Sequence, residues 1–238
     1  MRTDTASNII NDALMEVGMR QAALGNPYTS NDALAVLART LLKALGRELA
    51  SKHQWTHLQK MRTFSTVNGT DNYALPLDFI GMLHSTQWNR STGIQLNGPR
   101  SPEGWQVLTS SLNGVGAPDF IFRVFGNRLY LHETPTGAET IAFEYQSSWW
   151  VQPDDQSAPT SETPTLPDDV LWFDSRLLVS GLKVKVLEQK GLASAAARNE
   201  FDAAYAEATG SDGAHGVLSL VPTMVRRHSD FPLTGWGQ

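Results

Sequence analysis

The chain has no cysteine, so disulfides, thiolate metal sites and a cysteine nucleophile are excluded. No apolar run approaches the ~18 residues of a membrane span. The residues after Met1 (Arg2, Thr3, Asp4, Thr5) are polar where a secretory segment would be apolar. The mature chain is therefore expected to start near Met1 and to be made in a cytoplasm. There is no basic block either. Net charge is −5, and Lys/Arg against Asp/Glu runs 7 to 5 over residues 1–60, 5 to 7 over 61–150 and 7 to 12 over 151–238. Such a chain suits tight, sequence-specific nucleic-acid binding poorly. Walker motifs and serine nucleophile elbows are missing, and Gly114-Val115-Gly116-Ala117-Pro118 lacks the third glycine of a dinucleotide loop.

What is present is an order of elements. With 238 residues and 41% hydrophobic content the chain can bury a real core. Helical periodicity occurs before residue 60 and again over about 168–208, and between them the period shifts toward two. Ile9, Ile10, Ala13, Leu14 and Val17 predict a helix over 6–18, with Thr5 or Ser7 placed to cap it and Gly18 to end it. A second helix is expected from Ser30 or Asn31 to about 55. Its stripe is Leu34, Leu37, Leu41, Leu45 and Leu49, with Ala38 and Leu42 beside it. The two helices pair antiparallel but bury too little to stand alone.

From residue 61 the pattern predicts strands. Thr63–Val67 leads to an Asn68-Gly69 turn, and Leu83–Trp88 is a second short strand. Pro76 keeps Tyr73-Ala74-Leu75 off a central position. The stretch 89–118 is rich in glycine and proline, with a helical turn anchored by Trp105, Val107 and Leu108. Phe120–Leu131 reads as a hairpin about Gly126-Asn127. Ile141, Phe143 and Tyr145 then form the third strand of an antiparallel meander.

Residues 152–167 carry four prolines and read as a linker. A third helix is expected from Asp168 to Gln189, with Val170, Phe173, Leu177, Leu178, Leu182, Val184 and Leu187 on its apolar face and Gly191 at its end. A fourth, alanine-rich helix covers about 192–209. The last residues have no period, yet Leu218, Leu220, Val221, Met224, Val225, Arg226 and Arg227 are unusual for a solvated tail. They suit an arm lying on another surface.

This order resembles the head-to-tail adaptor (connector) proteins of tailed bacteriophages, the short-tailed type above all. The resemblance rests on Ile9-Ile10-Asn11-Asp12-Ala13-Leu14 through Gly18 and on the long helix closing at Trp55. It continues in Tyr73-Ala74-Leu75-Pro76-Leu77-Asp78-Phe79, Gly126-Asn127-Arg128-Leu129-Tyr130-Leu131, Phe143-Glu144-Tyr145 and Leu166-Pro167-Asp168-Asp169. It covers roughly residues 5–210. It implies a ring, usually of twelve subunits, under the portal of a filled capsid in the virion neck. A tail or nozzle protein would lie below it, and DNA would pass through the bore without sequence-specific binding.

The expected fold is α+β. A four-helix bundle made of two helical hairpins (1–60 and 168–210) holds an inserted antiparallel β domain (61–151). The linker 152–167 follows the insert, and an extended C-terminal arm takes up 211–238. Leu41→Asp and Phe173→Asp should each unfold the helical part. No catalytic residue, cofactor or metal is expected, and no membrane partner. His53 and His57 have the spacing for one metal on a helix, but Gln54 breaks the metalloprotease pattern and no third ligand follows. Asp154, Asp155, Glu162, Asp168, Asp169 and Asp174 cluster near the third helix start. They can be helix-capping acids, channel-lining charge (Asp168, Asp169, Asp174) or a catalytic carboxylate pair. The competing functions are a virion-associated peptidoglycan hydrolase and a carbohydrate-binding module using Trp88, Trp105, Trp149 or Trp150. Trp149 and Trp150, adjacent on an extended chain, either face opposite ways, one in the core and one exposed at an interface, or both pack against the linker.

Overall fold

The computed structural model describes residues 2–110 and 121–213. Phe120, the 114–118 segment and the expected arm residues from 214 onward lie outside them. The described chain is α+β, with five helices and with every strand pair antiparallel.

Helix α1 spans Ala6–Glu16 and buries Ile9, Ile10, Ala13 and Leu14. The Thr5 hydroxyl accepts a bond from the Asn8 amide. Gly18, at φ +73°, ends the helix with the Met19 amide donating to the Leu14 carbonyl at 3.1 Å, the left-handed glycine closure of a helix. Helix α2 spans Ala33–Lys52 and is capped by Asp32 rather than by Ser30 or Asn31. Its buried face is Ala35, Ala38, Leu42, Leu45 and Leu49, rotated from the expected leucine row, and Leu41 is only partly buried. Gly46 explains the rotation. A methyl group there would sit 1.9 Å from the Trp150 ring, so the small-residue face is the one that approaches the core.

The third helix begins later than expected. Helix α4 spans Ser175–Gln189, its cap is Asp174, and it ends at Gly191 with φ +68°. Residues Leu177–Leu182 of α4 are all buried, because α1, α2 and α5 (Ala195–Ser211) all pack on it. One apolar cluster joins α1, α2, α4 and Ala204 of α5 to Trp55, Leu58, Trp150, Leu171 and Phe173. Val170 and Phe173 are not helical. Strand β11, Val170–Leu171, lies between β1 (Asp4–Thr5) and β10 (Val151–Gln152) in a small sheet. The stretch read as a linker thus starts as a strand and is pinned by a Val151–Ser161 bridge.

The β region holds two more sheets. Strand β2, Gln59–Ser65, runs along the whole of β9, Thr140–Ser147, from Gln59 opposite Gln146 to Ser65 opposite Thr140. The other edge of β9 is shared by β4 (Phe79–Met82) and β5 (Trp88–Asn89), and β5 pairs β6 (Ile94–Gln95). Of the expected Leu83–Trp88 strand only Trp88 is a strand residue, at the start of β5, and residues 83–87 form the turn between β4 and β5. Helix α3, Pro102–Ser110, is the helical turn read around Trp105. The third sheet is β3 (Asn72–Ala74), β8 (Arg128–Leu131) and β7 (Phe122–Phe125). The β7–β8 hairpin turns on Gly126 and Asn127, both at positive φ as a tight two-residue turn of this hand requires. The meander is corrected, because β9 leaves the hairpin and pairs with β2 instead. A second apolar cluster, with Phe122, Leu129, Leu131, Ile141, Phe143 and Tyr145, fills the space between these sheets.

Candidate functional site

Strand β2 starts just after Leu58 and β9 ends just before Trp150, both residues of the helical cluster, and a buried carboxylate ties the two strands together there. Asp78, in the tight segment after Pro76, has a side chain only 3% exposed. It accepts bonds from Ser147 Oγ at 2.6 Å, Lys60 Nζ at 2.9 Å and the Tyr145 hydroxyl at 3.0 Å. Its own carbonyl takes the Ser148 amide at 2.7 Å. Burial alone would raise its pKa. The bonds from Ser147 and Lys60 and the Lys60 charge outweigh burial and hold the carboxyl below its ordinary value. Lys60 also reaches the Pro159 carbonyl and lies 4.6 Å above the Trp149 ring. Four chain segments are thereby fixed to one charge pair.

A second cluster closes the far end of the helices. Helix α2 stops at Lys52, so His53 and His57 do not share a helical face; His57 sits in a separate turn, Thr56–Leu58. The Trp55 ring lies between them, at 4.8 Å from His53 and 5.6 Å from His57, and its Nε1 donates to the Leu49 carbonyl. Asp212, just past α5, accepts from the Thr56 amide at 3.0 Å, from the Thr56 hydroxyl and from His53 Nε2 at 3.2 Å. Burial lowers the His57 pKa, against the pull of the Asp212 charge. Among the described residues no group of three or more acidic or histidine side chains converges as a metal site.

The acidic cluster separates into different roles. Asp169 is 1% exposed, and its Oδ2 accepts the Thr165 and Leu166 amides at 2.7 and 2.9 Å. It neither starts a helix nor offers a surface to a channel. The carbonyls of Pro167 and Asp169 instead accept the free amides of Ser7 and Ala6, so Leu166-Pro167-Asp168-Asp169 closes the start of α1, not of α4. Asp174 is the true cap of α4 and also takes the Arg2 amide. Asp168 is exposed. Leu218, Leu220, Val221, Met224, Val225, Arg226 and Arg227 lie outside the described residues.

The two adjacent tryptophans differ in burial. Trp150 is fully buried against Phe173 and Gly46, while Trp149 is half-buried under Lys60. Trp88 is 36% exposed and lines a cavity of about 370 Å³ on the β9 sheet with Met61, Asn89 and Glu144. Of the twelve exposed large apolar residues among the described ones, eight fall between Met61 and Phe125, Leu77 being the most open at 90%. The exposed apolar side chains are thus concentrated on the β region. Sequence reasoning missed Lys60, Asp78, Asp212 and the Asn11 side chain, which holds both backbone groups of Leu24. A lone Asp inside Leu77-Asp78-Phe79 was the available signal for one of them.

No helix among the described residues is long and apolar enough to cross a membrane. Among curated proteins, none matches the chain. A family model does match: SU10 adaptor protein, over residues 4–221. The match covers both helical segments, the β region between them and the first residues past α5, and so the chain belongs to the SU10 adaptor protein family.

Proposed function

We propose that this adaptor is a ring subunit of a phage neck, seated between the portal of a filled capsid and the tail, in a ring of twelve. The observation that carries the reading is the family match over nearly the whole chain, joined to the exposed apolar bias of the β region. In this reading residues 1–60 and 168–210 are one four-helix bundle domain, 61–151 an inserted β domain that faces the tail protein, and 152–167 its return linker. The arm 211–238 reaches the portal or a neighbouring subunit through Leu218, Leu220, Val221, Met224 and Val225, with Arg226 and Arg227 on partner carboxylates. Asp168 and Asp174 supply negative charge to a bore that lets DNA slide without binding it. The role is structural rather than enzymatic, and the protein is placed in the virion neck after synthesis in the host cytoplasm.

The test is native mass spectrometry and electron microscopy of the purified protein, alone and with portal rings. The expected result is a closed ring on the portal with a mass of twelve copies. A monomer that ignores the portal, or one that clears cell-wall substrate in a zymogram, would overturn the reading.

A further inference from the structure

A surface cavity of about 650 Å³ opens where the described chain ends. Its floor is Trp55 with Ala204 and Ala208 of α5, and Ser211 continues the same helical face. The rim is charged. Asp174, Glu207 and Asp212 stand against Arg176, so the carboxylates and the guanidinium leave two net negative charges. Gly213 lies on the same rim, and 25 residues follow it, 214–238.

Those residues match the groove in both respects. Leu218, Leu220, Val221, Met224 and Val225 are apolar, and between Ala214 and Ser229 the chain carries two arginines and no acid. Two positive charges thus meet two net negative ones. Five residues from Gly213 to Leu218 span up to about 17 Å when extended, about twice the width of a cavity this size. So short a tether holds the segment near its target at an effective concentration on the order of millimolar.

We infer that the groove between Trp55 and the end of α5 is the docking site for the chain's own segment 218–227, its apolar residues on the alanine floor and Arg226 and Arg227 on the acidic rim. The inference does not depend on the ring reading, because it concerns the free subunit. Within a neck, portal or neighbour contacts would have to displace the segment from this groove.

The absence of cysteine makes the test direct in the full chain. Ser211→Cys with Val225→Cys puts one thiol on the groove and one in the segment. Ala206→Cys with Val225→Cys is the control, since Ala206 is exposed on another face of α5 at a similar distance along the chain. Oxidised at about 1 µM protein, both pairs should close within the chain rather than between chains, and the first at least ~10-fold faster than the second, because the tether is common to both and only docking in the groove separates them. Adding Arg226→Glu and Arg227→Glu should erase most of that difference. Equal rates for the two pairs, a rate indifferent to the charge reversal, or disulfides only between chains would each overturn the inference.

Discussion

Asp78 shows how one side chain can hold several segments at once, and it carries a sharp prediction. Asp78→Asn keeps the shape but leaves the Lys60 ammonium beside Trp149 without its counter-charge. Breaking one side of a buried pair costs about 3–5 kcal/mol, and the 29% exposure of Lys60 puts this case at the low end. The folded carboxyl titrates below its unfolded value, so its contribution is complete above about pH 4 and fades as pH falls through the folded pKa. Thermal unfolding should show a wide gap between wild type and Asp78→Asn at pH 5–7 that narrows below pH 4. A gap constant down to pH 2.5 would mean that the charge is not what Asp78 contributes. Sequence alone could place Asp78 in a turn after proline. It could not find Lys60, Tyr145 and Ser147, since those partners arrive through strand pairing across 85 residues.

At the scale of elements, helix α2 depends on a residue that looks dispensable. Glycine in a helix interior normally costs about 1 kcal/mol relative to alanine. Gly46→Ala should nevertheless destabilise, because the added methyl collides with the Trp150 ring. Overpacking of this kind costs about 3 kcal/mol, which for a chain of this size lowers the melting temperature by roughly 6–12 °C. Calorimetry decides it, and a variant as stable as wild type would mean that α2 is free to shift. Phe173→Asp should abolish cooperative unfolding, since its ring is fully buried between Trp55 and Trp150. Leu41→Asp should cost less, about 1–2 kcal/mol, because Leu41 is only partly buried. Urea titration of the two variants should separate them clearly. Helix existence was legible from the apolar period and from Gly18 and Gly191 as stops. The rotation of α2 was not, because it is fixed by a tryptophan 104 positions away. The start of α4 was misplaced for a related reason: acids before a helix look alike whether they cap it, as Asp174 does, or fold into a turn that closes another helix, as the 166–169 turn does.

Across the whole molecule, one apolar cluster lies among the helices and the other takes residues from β9, the β7–β8 hairpin and Phe64 of β2, while the Asp78 pair ties β2 to β9 close to Leu58 and Trp150 in sequence. Hydrogen exchange should therefore resolve two groups of slow amides, one in α2 and α4 and one in β2 and β9. Asp78→Asn should accelerate the second group more than the first. Uniform acceleration would indicate a single cooperative unit. The bracketing of a β region by helices was readable because the period changes at its borders. The sheet partners were not, because β9 skips its sequence neighbour β8 for strands far upstream. Placing α4 at the centre also has a consequence for synthesis. Helices α1 and α2 are finished by Lys52, yet the helix they pack on starts at Ser175. At about 5–20 residues per second, the ribosome needs roughly 6–25 s to make the stretch between them. For that interval the nascent chain presents Ile9, Ile10, Leu42 and Leu49 with no cover, so the order of translation, and not the final stability, sets the moment at which this protein is most open to aggregation.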